Sequence, residues 1–254
     1  MRDIRSHRAL LHYQFLAELK SSHVNTLLGQ VWWLLEPVLS MAIYVVLLGM
    51  ILRAGKEHYA IFILSGILPW HWHAKSTSQS AGSLVRAAGL IRALNFPRCV
   101  MVFTPLLSNG VHAAVALGLL VAAMPVFYEF PSWHVVLVPA LFVCQGIFTL
   151  ALGVLLAIAN VFVRDVQKML EPGLRAWYFL SPALYDIQDI PRHLQSLAYL
   201  NPFAAYLPAF RDVLMYHRLP NLTPLLIWTG VSLVFLHFAL ALFYRAEGRI
   251  ARVL

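Results

Sequence analysis

The sequence predicts an all-α integral membrane protein with six transmembrane helices and both termini on the cytoplasmic side. Three observations predict it. Only 12% of the 254 residues are charged, and 60% are hydrophobic; soluble domains carry about a quarter charged residues. The apolar residues gather into runs, several of them reaching the roughly 20 residues a helix needs to cross the hydrocarbon. The Lys and Arg residues collect in alternate loops, as the positive-inside rule requires. A mean hydropathy of +0.72 agrees.

The elements follow in order. Residues 7–20 (HRALLHYQFLAELK) place Leu11, Phe15 and Leu19 at i, i+4, i+8, one apolar line on a helix lying along the membrane interface. The first span is predicted at 28–52, too long for the apolar core of a signal peptide. The second is 59–83. Residues 84–98 (LVRAAGLIRALNFPR) form a loop that winds as a short amphipathic helix. At 100° per residue Leu84, Leu90, Ile91 and Leu94 share an arc of about 120°, flanked by Arg86 and Arg92. Pro97 stops this helix and holds Phe96 extended. Such a helix suits the lipid surface or a groove in a partner protein. Spans three to five are predicted at 99–127, 133–162 and 166–185. The fifth is the most polar, with Lys168, Glu171, Pro172 and Arg175. Residues 186–221 are too long for a simple turn. Ile190-Pro191 and Asn201-Pro202 each start a short helix, at 191–199 and 202–216. The sixth span is 222–244, and residues 1–254 are read as one transmembrane domain.

With both termini inside, the cytoplasmic loops hold twelve Lys and Arg and the outer loops five, namely Arg53, Lys56, Arg192, Arg211 and Arg218. The net charge of +8 is therefore a topology signal, not a nucleic-acid surface. Cys99 and Cys144 are read as small buried hydrophobes. No run fits G-x-x-x-x-G-K-[ST], so the chain shows no phosphate-binding loop of its own.

The 84–98 segment resembles the coupling helix of polysaccharide-exporting ATP-binding-cassette permeases, whose loop commonly reads LI-x-x-x-x-FPR. Five further stretches resemble the same family in the same order: 15–44 with Leu-Gly-x-x-Trp and Glu-Pro, 64–76 with Gly-x-x-Pro-Trp, 161–170 with Arg-Asp-Val, and the Ser-Pro and Asn-Pro segments at 180–191 and 200–214. The chain departs from the pattern at Glu18-Leu19-Lys20-Ser21-Ser22-His23, where the family is often more basic, and in the double histidine His71/His73.

The resemblance implies an inner-membrane, multi-pass transport subunit with no catalytic residues. Leu90, Ile91, Arg92, Leu94, Phe96, Pro97 and Arg98 would couple it to an ATPase. It implies as partners a second copy of the chain, two separate ATP-binding-cassette ATPases that bind the ATP and Mg, membrane lipid, and a lipid-linked polysaccharide such as O-antigen, teichoic acid or capsule. This chain would bind no cofactor. The 191–216 helices would form an outer gate. Trp32, Trp33, Tyr44, Trp70, Trp72, Phe179 and Tyr185 are the candidate channel residues, because sugar C–H faces pack on aromatic rings.

Glu36, Lys75, Glu171 and Arg175 fall inside predicted spans. Glu36, Lys75 and Arg175 lie at a common depth of roughly 12–14 Å from the cytoplasmic ends. A charge at such depth costs about 3 kcal/mol unless paired or wetted. The layer is either a structural ion pair or the wall of a wet channel. His71 and His73, two residues apart, point about 200° apart on a helix and cannot readily share a metal. Ser76, Thr77, Ser78, Ser80 and Ser83, Asn109-Gly110, Gly146 and Gly153 are read as close-packing positions. Two other functions compete: an exporter of small molecules or drugs on the same general fold, and a membrane glycosyl or acyl transferase. Against the transferase, Asp186 and Asp189 read as turn and cap residues, and Asp165 as a helix-start carboxylate.

Overall fold

A computed structural model of the chain describes residues 58–93 and 96–254, with isolated positions between 31 and 46. The described residues contain helices and turns and no strand. The interface helix at 7–20, most of the first span, and Leu94 lie outside the described residues.

Helix α1 runs Tyr59–Arg86 and α2 Ala88–Ala93. Helix α3 is Cys99–Phe127, and α4 is Val138–Phe162, entered through a 3-10 turn at Trp133–Leu137. Helix α5 covers Asp165–Leu180, α6 Arg192–Ala198, α7 Phe203–Leu214 and α8 Leu222–Val253. Among the described residues, three stretches are long and apolar enough to cross a membrane: Cys99–Val126, Trp133–Phe162 and Leu222–Val253. Helix α1, at 28 residues, is about 42 Å long, but His71, His73, Lys75 and its hydroxyl residues dilute its apolar character.

Caps fix several of the boundaries. The Asn221 side chain accepts from the Thr223 N–H (3.2 Å) at the start of α8. Asp186 and Asp189 form a reciprocal capping box on the 3-10 turn at Ile187–Asp189, the turn-and-cap role expected of them. At the start of α7, Asn201 Oδ1 accepts from the Phe203 N–H (3.0 Å) and from Trp177 Nε1 (3.1 Å). Its amide nitrogen donates to Ser181 Oγ (2.9 Å) and to the Leu180 carbonyl (3.3 Å). One side chain thus joins the end of α5 to the start of α7.

Helix α1 lies at the centre, packed against α3, α4, α5 and α7, and α8 packs on α4. Close approach of α1 and α4 rests on small residues. A Cβ added at Gly153 would sit 2.9 Å from Ser80 Cβ, and one at Gly146 3.2 Å from the Trp72 ring. Polar side chains bridge the same seam. Gln145 donates to the Pro69 carbonyl (2.8 Å), Asn160 to the Ala81 carbonyl (3.1 Å), and His73 Nδ1 pairs with Thr149 Oγ1 (2.9 Å). Interhelical hydrogen bonds and small contacts are what hold membrane helices together where lipid removes the hydrophobic drive.

Two apolar clusters mark the two ends. One gathers Ile61, Phe62, Met124, Leu141, Leu225 and the buried face of α7. The other gathers Leu84, Ile91, Phe96, Cys99, Val161, Ala246 and Ile250. The outer flank of α8 is bare, with Leu226, Ile227, Leu233, Val234 and Phe238 exposed, as expected of a face turned to lipid.

Three expectations need correction. The 84–98 segment is not one helix. Ala87 leaves the helical conformation, and α2 restarts at Ala88 and spans only six residues. Leu84 therefore belongs to α1, where it is fully buried. The turn lets Ile91 and Phe96 join the buried cluster with Cys99 and Ile250, which a straight continuation would carry away from the chain. The fifth span is shorter than 166–185, being a 16-residue amphipathic helix that ends at Leu180. The sixth helix does not stop at 244; it runs unbroken to Val253. The two short helices at 191–199 and 202–216 are found as Arg192–Ala198 and Phe203–Leu214.

Candidate functional site

A cleft of about 720 Å³ opens between α1, α3 and α5. Each helix contributes one face at helical spacing. From α1 come Leu68, His71, Trp72, Lys75 and Gln79, from α3 Asn109, His112, Ala113 and Ala116, and from α5 Glu171, Leu174, Arg175 and Tyr178. Phe179 completes the wall.

The floor is aromatic and tightly packed. Trp70 lies edge-on to Phe203 (centroids 4.7 Å apart) and to Trp177 (6.0 Å). Trp72 donates from Nε1 to the Leu106 carbonyl (3.2 Å) and packs against Phe142 (4.6 Å). Both tryptophans are buried, so most of their ring surface is spent on helix packing, with an edge left to the cleft. His73 points the other way, into a cage of Trp70, Trp177, Phe148 and Phe203. His71 is exposed to the cleft. The two histidines thus diverge as their spacing requires.

The rim is polar. Lys75, Glu171 and Arg175 are exposed and face the same cleft. Glu36 lies outside the described residues, as do Trp33 and Tyr44. Asn109 Nδ2 donates to Gln79 Oε1 (2.7 Å) and to the Pro105 carbonyl (2.8 Å), tying α1 to α3 across the cleft. Phe179 is 61% exposed. Trp32 is also exposed, and Tyr185 is half-buried beside the outer helices. The arrangement offers ring faces, amides, imidazoles and both charge signs along an open groove. It can hydrogen-bond and stack on a hydroxyl-rich molecule without enclosing it.

Residues 71, 79, 109 and 112 were not among the expected cleft residues. Their signal was present: Asn109 and His112 sit with Ala113 and Ala116 on one face of an otherwise apolar helix, at i, i+3, i+4, i+7.

At the far end, Arg211 is 1% exposed, although its position in an outer loop suggested a solvated charge. Its guanidinium donates to the carbonyls of Phe62 (3.2 Å), Tyr185 (3.0 Å) and Ala183 (2.5 Å), and lies 3.9 Å over the Phe62 ring. Burial lowers its pKa to about 10, which leaves it a cation at neutral pH.

At the α2 end, Ile91 and Phe96 are buried, Leu90 and Pro97 half-buried, and Arg92 exposed. Arg98 pairs with Glu247 of α8 at 3.1 Å.

Comparison with known proteins places these features in context. The family model described as ABC-2 type transporter matches residues 18–215. The O-antigen export system permease protein RfbA of Myxococcus xanthus is 32% identical, over 96% of this chain and 94% of that protein. An O-antigen export system permease protein RfbA of Klebsiella pneumoniae is 27% identical, over 93% and 92%. The polysialic acid transport protein KpsM of Escherichia coli is 23% identical, over 92% of each chain.

Proposed function

The chain belongs to the ABC-2 type transporter family, and from that premise we propose that it is the membrane subunit of an O-antigen exporter. It is a multi-pass inner-membrane permease of the polysaccharide-export class. Two copies pair, and lipid-linked polysaccharide moves between them, driven by two separate ATPase subunits that bind the ATP and Mg. The six spans are residues 28–52, α1, α3, α4, α5 and α8.

The observation that carries this reading is the exposed face of α5. Glu171, Arg175 and Phe179 stand on it beside the cleft. Charged side chains at membrane depth face a protein partner or water, not lipid. A groove lined by rings, amides and charges suits a polymer that must slide. A small-molecule exporter calls for an enclosed pocket; relatives named as O-antigen export and polysialic acid transport proteins favour the polymer.

Orientation follows from charge. The end that holds α2 carries Arg86, Arg92, Arg98, Arg164, Lys168, Arg245, Arg249 and Arg252, against Arg192, Arg211 and Arg218 at the other. Among the described residues, eight against three supports a cytoplasmic α2, where it docks on the ATPase through Arg92 and its exposed neighbours Gly89 and Ala93. The outer helices α6 and α7 then cover the exit.

The test is removal of this chain from its cell, with surface polysaccharide measured by gel and antibody. Loss of the surface polymer, with lipid-linked polymer accumulating inside and both reversed by the restored chain, is the expected result. Unchanged surface polymer overturns the reading.

A further inference from the structure

Arg98 stands directly before the first residue of α3, and its side chain turns into the protein. Nη1 meets Glu247 Oε1 at 3.1 Å, across 149 residues of sequence, with the two side chains 21% and 28% exposed. The pairing has a local electrostatic reason. The positive end of the α3 dipole points at Arg98, and the first turn of α3 has no acidic residue. The carboxylate supplied by α8 offsets both charges.

The end of α8 is built to deliver it. Phe243, Ala246, Ile250 and Leu254 are all buried, and at 100° per residue they form one stripe about 80° wide. This stripe belongs to one buried apolar cluster with Ile91 of α2, Phe96 beyond its end, and Cys99 and Val100 of α3. Glu247 lies about 20° beyond its edge. Arg245, Arg249 and Arg252 are exposed and occupy the opposite face. The one carboxylate of the segment is therefore the group turned toward Arg98.

We infer that Arg98 is a positioning residue whose ion pair with Glu247 fastens the α2 docking segment to the end of α8, so that displacement of α2 drives α8 together with α3. The inference rests on the proposed role of α2 as the ATPase contact. It moves Arg98 from the docking surface to the transmission behind it. Arg92, exposed on α2, stays at the surface.

The experiment is a charge swap in the full complex: Arg98→Glu, Glu247→Arg and the double exchange. Export of lipid-linked polysaccharide, ATPase binding, ATP hydrolysis and thermal melting are read for each. Each single reversal lowers export about tenfold, the size of an ordinary coupling free energy, while the ATPase still binds and hydrolyses ATP. The double exchange recovers export to within about threefold of the parent chain. Wild-type export by Glu247→Arg overturns the inference, and so does a double exchange no better than the singles. Loss of ATPase binding in Arg98→Glu alone also overturns it, because Arg98 would then be a docking residue. So does export that falls only in step with melting temperature. If the reversals fail to accumulate, Arg98→Gln and Glu247→Gln carry the same comparison. The arginine and glutamate side chains together reach farther than a disulfide, so Arg98→Cys and Glu247→Cys are joined with a bifunctional thiol cross-linker in membranes without cargo; this tests the pairing even if the polysaccharide assignment fails, and absence of the cross-link counts against the inference.

Discussion

Replacing Arg211 by leucine removes a cation buried among the outer elements and leaves its carbonyls behind. The Phe62 carbonyl keeps a second donor, Ser65 Oγ at 2.9 Å. The Ala183 and Tyr185 carbonyls lose the guanidinium, at 2.5 and 3.0 Å. An orphaned buried acceptor costs about 1–3 kcal/mol, so two cost about 2–6 kcal/mol. Removing the desolvated cation offsets part of this, leaving a net loss of about 3 kcal/mol. For a chain of this size that lowers the melting temperature by about 6–12 °C. Arg211→Lys keeps the charge but cannot span three carbonyls, and should lose roughly half as much. The assay is thermal unfolding of purified protein in detergent, followed by size-exclusion fluorescence. A leucine variant melting within about 2 °C of the parent would refute the argument that Arg211 holds α7 and the 181–186 loop to α1.

Other perturbations test separate joints. Gly153→Ala should destabilise by about 1–3 kcal/mol, because its Cβ would stand 2.9 Å from Ser80 Cβ. Gly230→Ala meets nothing within 4 Å and should be neutral or gain about 0.5 kcal/mol from helix propensity; equal melting temperatures for the two would deny the α1–α4 seam. Asn201→Ala gives up three hydrogen bonds to the end of α5 and the cap of α7 and should cost about 2–4 kcal/mol, measured by the same melts. In the cleft, Arg175→Cys should react with a membrane-impermeant thiol reagent in assembled transporter, whereas Val234→Cys on the lipid flank should not. Protection of both positions would argue against a wet groove beside α5.

Much of the architecture was legible because apolar runs and turn residues are local signals. The runs at 99–127 and 133–162 mark α3 and α4 to within a few residues, and Asn201-Pro202 marks the start of α7. Lys75 and Arg175, at similar predicted depth because a helix rises a fixed distance per residue, do line one cleft, and Glu171 joins them there. What escaped depended on partners distant in sequence. Arg211 looked like an ordinary outer-loop charge because a topology count has no depth, and the carbonyls that hold it lie 26, 28 and 149 residues away. Arg98 was grouped with the docking residues because no spacing rule links it to Glu247. The helical wheel also carried the 84–98 arc through Ala87, where the chain turns. Leu84 and Ile91 do face the protein interior, but from two different helices. Trp70 and Trp72 show the limit of residue type as a guide: rings suited to a sugar are used mainly to pack α1 against α3, α4 and α7.

On the proposed function, this chain and a separate ATPase together move a lipid-linked polysaccharide across a membrane. The most direct measurement is made in proteoliposomes holding the purified chain, its candidate ATPase and fluorescently tagged lipid-linked O-antigen, with a membrane-impermeant quencher outside. The account predicts that ATP changes the quenchable fraction only when both proteins are present, and that unlinked small dyes are not carried. Movement without the ATPase, or ATP-driven movement of small dyes with the glycan left in place, would contradict it.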